Sequence, residues 1–402
     1  MIIDPYVELY NGHVVDVLKS MADNSIDMCM TSPPFWGLRC YHTTGQIWDG
    51  KPDCVHGWQV TAPRRSRKAT DIKNLDSKEA TVGGNLGVEL PTTDTCQLCG
   101  AWQGELGLEP TFQLYIDHLM QIFDEVKRVL KKTGTLWVNI ADSYAGGKGS
   151  SSGYYREGRD DDRETLQHGA QYTGGQGYTR PLDGKIGVPA KSLIGIPERF
   201  ALAMTDRLGY IRRNTLIWWK RNPMPESVKD RFTEDFEYVF MFSKHQKYYF
   251  EQQFEGFSTA TERWGGDKFN GNVKLAGRVE AAGLDRERSC YPNKSGRNKR
   301  CVWDIPTESS ELGHYAAYPK RLCETPILAG CPIGGVVLDP FAGSGTTLEV
   351  AKSLNRKSIG IELNPTYCEL IKKRVSNVTL PMDFGEELNI SEEVINYGAK
   401  LI

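Results

Sequence analysis

Residues 336–347 read Val-Val-Leu-Asp-Pro-Phe-Ala-Gly-Ser-Gly-Thr-Thr, and this stretch decides the fold class. A short apolar run ends at Asp339-Pro340, which predicts a buried strand that stops at that point. Gly343 and Gly345 then allow a ligand to approach the backbone where a side chain would collide. Apolar residues at helical spacing follow the glycines, so the stretch predicts a strand, a tight turn and a helix in succession.

A second apolar strand, residues 358–362, follows the predicted helix and ends at Glu362. Glu362 lies 23 residues after Asp339. In nucleotide-binding βαβ units, a carboxylate at this spacing closes the second strand and accepts hydrogen bonds from ribose hydroxyls. The last glycine of the dinucleotide fingerprint is replaced by threonine, and no pyrophosphate-binding run is evident. The pattern therefore favours a nucleoside ligand without phosphates over NAD.

The composition limits the class of protein. The chain has 402 residues, ten cysteines and a formal net charge of −2. This length favours one α/β catalytic domain with added modules, and the near-neutral charge argues against a general polyanion binder while allowing a local basic face. There is no apolar run long enough to span a bilayer and no basic-then-apolar leader, so we expect a soluble, intracellular protein. Irregularly spaced cysteines indicate reduced thiols, a subset of which binds metal.

The second chemical landmark is Thr31-Ser-Pro-Pro-Phe-Trp36, which follows a predicted buried strand at residues 26–30. Two consecutive prolines end the hydrogen-bond ladder of a sheet, fix the backbone and leave carbonyl groups without ladder partners. By itself, the pattern indicates a strand-terminating turn equally well.

The two landmarks together resemble the DNA amino-methyltransferases. The glycine stretch is similar to that family's S-adenosylmethionine-binding motif, residues 359–364 are similar to the segment that follows it, and residues 31–36 are similar to its catalytic tetrapeptide. The catalytic motif precedes the cofactor motif by about 300 residues, which is the circularly permuted order of the family's beta class. The resemblance implies a Rossmann-like α/β methyltransferase fold, circularly permuted, and it covers most of the chain outside two insertions.

The resemblance also implies the reaction and its residues. S-adenosylmethionine donates a methyl group to the exocyclic amine of a base that has been flipped out of double-stranded DNA. Ser32 and the carbonyl of Pro33 accept the two hydrogens of the amine, and Phe35 offers an apolar face for stacking the base. The implied catalytic residues are Ser32, Pro33, Pro34 and Phe35, and the implied cofactor-binding residues are Thr31, His314, Asp339, Pro340, Phe341, Ala342, Gly343, Ser344, Gly345, Thr346, Glu362 and Asn364.

One position departs from the family pattern. Beta-class enzymes commonly carry Gly-Asp near the N-terminus to hold the cofactor adenine, whereas this chain has Gly12-His13. A histidine still forms hydrogen bonds, but a carboxylate acceptor is lost. We therefore expect different contacts to adenine in this region.

The first residue of the tetrapeptide bears on the product. Ser-Pro-Pro followed by an aromatic residue is the form commonly linked to cytosine N4, so we expect N4-methylcytosine. Adenine-N6 methylation, in which aspartate or asparagine is common at that position, is the alternative; glutamine-N5 methylation uses Asn-Pro-Pro-Tyr. Carbon-5 methylation needs a Pro-Cys nucleophile and a Glu-Asn-Val acid, and neither string occurs. A catalytically silent zinc-containing DNA-binding protein would not need both motifs intact.

An insertion is predicted at residues 42–108, where the sequence is polar and rich in glycine. It contains Cys54-Val-His56 and Cys96-Gln-Leu-Cys99-Gly100. Cys-x-x-Cys-Gly is a common zinc knuckle, and four nitrogen and sulfur ligands complete a closed tetrahedral structural site. The pattern predicts Zn²⁺ bound by Cys54, His56, Cys96 and Cys99, against the alternative of unrelated buried thiols and a surface histidine.

The remaining segments alternate between regular and irregular sequence. Pro110 is predicted to open an amphipathic helix that residues 131–134 close, and strands are predicted at 135–140, 215–219 and 236–242, with a helix at 196–204. Regularity fails at 245–313, the place of the target-recognition region in a permuted chain. Basic residues in this range suit contacts to phosphate and base edges, unless the segment is a solvated loop. The predicted DNA-binding residues are Arg286, Arg288, Lys294, Arg297, Lys299 and Arg300.

The chain is therefore predicted to divide into five segments. The catalytic domain comprises residues 1–41, 109–244 with a long loop at 145–190, and 314–402. The zinc-knuckle insertion at 42–108 and the target-recognition region at 245–313 interrupt it. The resemblance implies double-stranded DNA as substrate, a cognate restriction nuclease in a restriction-modification system as a partner, and a cytoplasmic location in a prokaryotic cell or phage-infected host.

Overall fold

The computed structural model describes residues 2–39, 41, 43–59, 94–145, 187–256, 297–308 and 318–378. Its strands are β1 (Ile2–Asp4), β2 (Val7–Asn11), β3 (Ile26–Thr31), β4 (Gln46–Trp48), β5 (Trp58–Gln59), β6 (Asp94–Cys96), β7 (Trp102–Gly104), β8 (Leu130–Ile140), β9 (Ile211–Trp219), β10 (Phe236–Ser243), β11 (Phe254–Glu255), β12 (Arg297–Asn298), β13 (Val302–Asp304), β14 (Val336–Asp339) and β15 (Lys357–Glu362). Its helices are α1 (Val14–Ser20), α2 (Phe112–Val129), α3 (Ile196–Asp206), α4 (Lys320–Gly330), α5 (Thr346–Ser353) and α6 (Pro365–Ser376).

A nine-stranded mixed sheet forms the centre of the described structure, in the order β1-β2-β15-β14-β3-β8-β10-β9-β13. Strands β2, β15, β14, β3 and β8 are parallel, and β10 and β9 continue the sheet as antiparallel neighbours. After β14 the chain passes through α5 to β15, which lies on one side of the β14–β3 pair in the sheet. After β3 it passes through α2 to β8, which lies on the opposite side of that pair. The connections therefore reverse direction between β14 and β3, and ligands of open α/β sheets bind at the carboxyl ends of strands at such a point.

Helices cover both faces of this sheet. Side chains of α1, α2 and α3 share one apolar core with Cys29 and Leu338, whereas α4 and α5 pack on the other face with Met28 and Val337. Neighbouring residues of β3 and β14 thus point to opposite cores, as the pleat of a strand requires. The predicted α/β class is confirmed. Among the described residues, no helix combines the length and the apolar character needed to cross a membrane.

The insertion contributes a small sheet of its own. Strands β4, β7, β6 and β5 pair antiparallel in that order. Two tryptophans, Trp48 and Trp102, lie opposite each other on β4 and β7, and both are buried. The small sheet is therefore joined to the main core through its aromatic side chains.

Both boundaries of α2 differ from the prediction. Helix α2 begins after Thr111, whose side chain accepts a hydrogen bond from the Leu114 amide, so this threonine is the cap and Pro110 lies outside. The predicted closing segment 131–134 lies inside β8, which starts directly after the helix at Leu130. Pairing with Ile26 of β3 and the ion pair of Lys131 with Asp27 extend the strand through polar sequence.

Several of the described strands were not predicted, and β13 is one of them. Strand β13 pairs parallel with β9 and lies at the edge of the central sheet. It falls within residues 245–313, the range assigned to the target-recognition region. Trp303 is its one buried side chain, and its indole nitrogen donates to the carbonyl of Arg300 over 2.8 Å.

Candidate active site

The two motifs meet where the sheet connections reverse direction. Asp339 ends β14 and Thr31 ends the neighbouring β3, and the Thr31 hydroxyl donates to Asp339 Oδ1 over 2.7 Å. The carboxylate is 1% exposed and also accepts from Thr347 Oγ1 at 2.6 Å and from the Tyr318 hydroxyl at 3.2 Å. Burial raises the pKa of Asp339. Donors around a buried carboxylate offset its desolvation, so the aspartate fixes the geometry between the motifs.

The glycine turn adopts the conformation that the sequence requires. Gly345 has a φ of 85° and caps α5, and a Cβ there would lie 3.0 Å from a carbon of Ile371. Arg374 holds the turn from outside, since Nη1 donates to the hydroxyls of Ser344 and Thr346, each over 2.8 Å. The backbone of the turn is therefore fixed before any ligand arrives.

Glu362 lies at the carboxyl end of β15, beside this turn. Its Oε2 accepts from the Gly343 amide over 2.8 Å and its Oε1 from the Asn364 amide over 2.7 Å. Burial raises the pKa of Glu362 to about 7. Each oxygen has a second lone pair, so the oriented carboxylate can accept two hydroxyl groups.

The remaining predicted cofactor residues have different positions. Pro340 and Ala342 are buried in the turn, and Phe341 is half-buried against the core formed by α1, α2 and α3. Asn364 caps α6, because its side chain accepts from the Thr366 amide over 2.9 Å. His314 lies outside the described residues.

Ser32 is held by a residue that the motifs did not identify. The Ser32 hydroxyl donates to Asn139 Oδ1 over 3.1 Å. Asn139 Nδ2 in turn donates to Glu237 Oε2 at 2.9 Å and to the Tyr238 carbonyl at 3.2 Å. Both of these partners are acceptors, so the amide oxygen of Asn139 must face the serine. The serine hydrogen is thereby engaged, and the lone pairs of its oxygen are left to accept from a ligand.

The loop after Ser32 is fixed by side chains from α2 and from the segment after β8. Tyr115 donates its hydroxyl hydrogen to the Pro34 carbonyl over 2.8 Å. The Trp36 carbonyl accepts from the Ser143 hydroxyl at 2.8 Å. Pro33 is buried, whereas Ser32, Pro34 and Phe35 are partly exposed. The predicted catalytic residues therefore line one rigid loop beside Asp339.

His13 lies at the start of α1 and faces the insertion. Its ring meets that of Trp48 edge-on, with the centroids 4.7 Å apart, and Nδ1 lies 3.5 Å from Asp16 Oδ2. Burial lowers the pKa of His13. Nε2 is buried and has no hydrogen-bond partner among the described residues. A neutral ring with its hydrogen toward Asp16 keeps Nε2 as an acceptor.

The four predicted metal ligands lie together. The ligand atoms of Cys54, His56, Cys96 and Cys99 are all within 4.8 Å of one another. Cys54 Sγ lies 3.8 Å from Cys96 Sγ, and Cys99 Sγ lies 3.4 Å from His56 Nδ1. Tetrahedral Zn²⁺ with Zn–S bonds of about 2.3 Å separates two sulfurs by about 3.8 Å. The Leu98 amide points at Cys96 Sγ over 3.4 Å, as in a zinc knuckle. The donor set fits the ion.

The described members of the predicted DNA-binding set carry internal partners. Arg297 and Arg300 both pair with Glu255 Oε1, at 2.9 and 2.6 Å. Lys299 donates to Thr325 Oγ1 over 2.9 Å and lies over the ring of Trp303. Arg286, Arg288 and Lys294 lie outside the described residues.

Several side chains of the site were missed by sequence reasoning. Asn139 is a polar residue within the apolar run 136–140, and that interruption was the available signal. Tyr318 lies in the segment after His314 and donates to Asp339. Asn11 holds the end of β15, since Nδ2 donates to the Glu362 and Leu363 carbonyls over 2.9 and 3.0 Å. Such contacts depend on strands distant in sequence.

Comparison with known proteins adds independent information. A family model described as DNA methylase (N6_N4_Mtase) matches residues 26–373. The type II methyltransferase M.SmaI of Serratia marcescens is 36% identical over 364 residues, covering 90% of this chain and 89% of that protein. The type II methyltransferase M.Cfr9I of Citrobacter freundii is 29% identical, covering 95% and 89%. A solved structure of the PvuII DNA methyltransferase (cytosine-N4-specific) has a TM-score of 0.49 and 18% identity, covering 98% and 91%.

Proposed function

We propose that this chain, which belongs to the DNA methylase family, transfers a methyl group from S-adenosylmethionine to the exocyclic N4 of cytosine in duplex DNA. The observation that carries this proposal is the junction of the two motifs at the Thr31–Asp339 hydrogen bond. The cofactor turn follows β14 and the acceptor loop follows the neighbouring β3. Two molecules bound there would lie next to each other, as methyl transfer between them requires.

The cofactor half of the site fits a nucleoside. Glu362 offers an oriented carboxylate to two ribose hydroxyls, and the backbone of the turn at Gly343 and Gly345 allows close approach. His13 Nε2 replaces the carboxylate acceptor that the family commonly has near adenine. S-adenosylmethionine, when bound, supplies an activated methyl group on a sulfonium.

The acceptor half fits an exocyclic amine. Such an amine is a poor nucleophile because its lone pair is delocalised into the ring. Ser32 has its hydrogen engaged by Asn139 and so presents an acceptor, and the Pro33 carbonyl provides a second one. Two acceptors favour a pyramidal nitrogen whose lone pair is available. Phe35 offers a face for the ring of a base flipped out of the duplex.

The choice of cytosine rests on Ser32. A serine hydroxyl reaches less far than the aspartate or asparagine side chain common in adenine-N6 enzymes, so the first residue of the tetrapeptide sets how deep the amine sits.

The same proposal includes the permuted order of motifs, the division into five segments, a structural Zn²⁺ on Cys54, His56, Cys96 and Cys99, and DNA contacts from the range 286–300. It also includes a cognate restriction nuclease and a cytoplasmic location.

The decisive experiment identifies the product. Purified protein is incubated with S-adenosylmethionine and unmethylated genomic DNA, the DNA is digested to nucleosides, and the modified nucleoside is identified by mass spectrometry. We expect N4-methylcytosine from the wild type, roughly 10- to 150-fold less from Ser32→Ala over one turnover time, and none in a reaction without cofactor. N6-methyladenosine as the main product would refute the base assignment alone. No methylated nucleoside would refute the proposed activity.

A further inference from the structure

A fully buried histidine joins the insertion to the catalytic domain. His118 lies on α2, and its ring stacks on Trp48 and Trp102 with centroid distances of 4.5 and 5.4 Å and interplanar angles of 21° and 23°. Both tryptophans belong to the small sheet of the insertion. The ring therefore lies between a helix of the catalytic domain and the module that carries the Cys/His cluster.

Both ring nitrogens of His118 face carboxylates. Nδ1 lies 2.9 Å from Glu109 Oε1, and Nε2 lies 3.1 Å from Asp49 Oδ2. Asp49 follows Trp48 in the module, whereas Glu109 lies three residues before the start of α2. The side chains of His118 and Glu109 have no exposed area. Two anchored nitrogens and stacking contacts with two tryptophans fix the orientation of this ring.

Glu109 continues the connection to the catalytic loop. Its Oε2 accepts from the Gly107 amide over 2.8 Å, and its carbonyl accepts from Trp36 Nε1 over 3.0 Å. The Gly107 carbonyl accepts from the Gly37 amide over 2.7 Å. Gly107 has a φ of 92°, and a Cβ there would lie 3.0 Å from the Phe35 carbonyl oxygen. This close approach ties the position of the loop to that of Glu109.

The same module holds the metal-ligand cluster. Cys96 ends β6, and its amide donates to the Ala101 carbonyl over 2.7 Å, directly before Trp102. Thr95 pairs with Trp102 across the small sheet. The position of Trp102 against His118 therefore depends on the closure of the knuckle between Cys96 and Cys99.

We propose that His118 is a positioning residue that connects the Cys/His cluster structurally to the catalytic loop. Metal binding by the insertion then sets the position of residues 34–37. The inference rests on the proposed methyltransferase function for its effect on rate. The structural part of it does not, because the hydrogen bond from the Gly37 amide to Gly107 reports the loop position directly.

Hydrogen–deuterium exchange of the full chain tests the connection. The amides of residues 35–39 are followed in four proteins: the wild type, Cys96→Ser, His118→Phe and the double variant. His118→Phe keeps an aromatic ring without nitrogens. We expect about tenfold faster exchange at Gly37 in each single variant. The double variant should be no faster than the singles, because both changes interrupt one path. Cys301→Ser, an exposed thiol outside the cluster, is the matched control and should match the wild type.

The kinetic measurement is the single-turnover rate of methyl transfer. We expect a decrease of about tenfold in Cys96→Ser and His118→Phe, with the DNA KM within about threefold of the wild type. Faster exchange in residues 94–104 of Cys96→Ser with unchanged exchange in residues 35–39 would overturn the proposal, as would multiplicative effects in the double variant. Should His118→Phe fail to fold, His118→Gln is measured in its place. If amide exchange in the loop changes in these variants of a protein that does not methylate DNA, the proposed function is refuted but the connection through His118 is not.

Discussion

The Thr31 hydroxyl donates to Asp339 Oδ1 over 2.7 Å, although the two residues are 308 positions apart in the chain. This bond lies where the sheet connections reverse direction, between β3 and β14. It connects the residue before Ser32 with the residue that begins the glycine turn. The two predicted motifs are therefore joined by a buried side-chain contact in addition to the pairing of their strands.

Thr31→Val should lower the free energy of unfolding by about 1–3 kcal/mol, because it leaves a buried carboxylate with one donor fewer at nearly constant volume. Denaturant titration measures the change. Thr366→Val, at an exposed position of α6, is the control and should stay within about 0.5 kcal/mol of the wild type. Equal stability of the two variants would contradict the role of the Thr31 hydroxyl.

S-adenosylmethionine binding should depend on pH through Glu362. The folded pKa of Glu362 is raised to about 7 by burial, so the carboxyl group is mostly protonated at pH 6 and ionised at pH 8. Ribose hydroxyls donate to the ionised form, hence affinity should rise about tenfold between these values. Glu362→Gln should bind more weakly and show little pH dependence in calorimetry. A wild-type affinity for S-adenosylmethionine that does not change with pH would show that Glu362 does not bind the cofactor.

The pH dependence of stability has the opposite sign. A carboxyl group whose folded pKa lies above its ordinary value binds its proton more tightly in the folded state. The cofactor-free protein should therefore lose stability as pH rises from about 4.5 to about 7, and Glu362→Gln should lose less. Thermal denaturation of the two proteins across this range makes the comparison.

The cluster in the insertion should hold one Zn²⁺ per chain. Elemental analysis of freshly purified protein measures the metal, and Cys96→Ser should lower both the zinc content and the Tm, because the ion closes the fold of this module. Cys301→Ser should change neither. Full stability in a protein free of any bound metal would show that the four side chains only pack together.

Ser32→Ala should slow the chemical step by about 1.5–3 kcal/mol, which is roughly 10- to 150-fold, because one of two acceptors for the amine is lost. Affinity for S-adenosylmethionine should be retained. Ser25→Ala, whose hydroxyl donates to the Ala22 carbonyl at an exposed site, is the matched control. Single-turnover methylation of a DNA substrate gives the rates; identical rates for the two variants would exclude Ser32 from the reaction.

Arg297 and Arg300 both form ion pairs with Glu255, so this carboxylate would compete with DNA phosphates for the two arginines. If these arginines reach phosphates, replacing both with glutamine should raise the DNA KM and reduce the salt slope by about 1–2. Glu255→Gln removes their internal partner and should then tighten DNA binding. A loss of stability in both variants, with DNA binding unchanged, would assign the arginines to the fold alone.

Local patterns predicted the parts of the structure that local forces determine. The strand, turn, helix and strand from Val336 to Glu362 are observed as expected, because an apolar run, two glycines and a second apolar run each act over a few residues. Strand β3 before Thr31 was also predicted correctly. The approach of the four ligand side chains in the insertion agrees with their spacing, although the metal itself remains a prediction.

Contacts between distant segments explain what sequence reasoning missed. Strand β13 exists because β9 offers a free edge and Trp303 finds a buried site, and three residues carry no periodic signal for either. Asn139 and Ser32 are 107 positions apart, so an asparagine in an apolar strand gave no indication of its partner. His118 was not singled out from the sequence, because nothing in its neighbourhood indicates that two tryptophans distant in the chain stack on its ring.

The order of strands in the central sheet has a consequence during synthesis on the ribosome. Strands β15 and β14 lie between β2 and β3, yet they emerge more than 300 residues after them. Until β15 and β14 have been synthesised, the edges of β2 and β3 that pair with them stay open in the nascent chain. Thr31 likewise meets Asp339 only at this late stage. A growing chain therefore lacks the complete candidate site for most of its translation, and the sheet is completed last at the place of the proposed reaction.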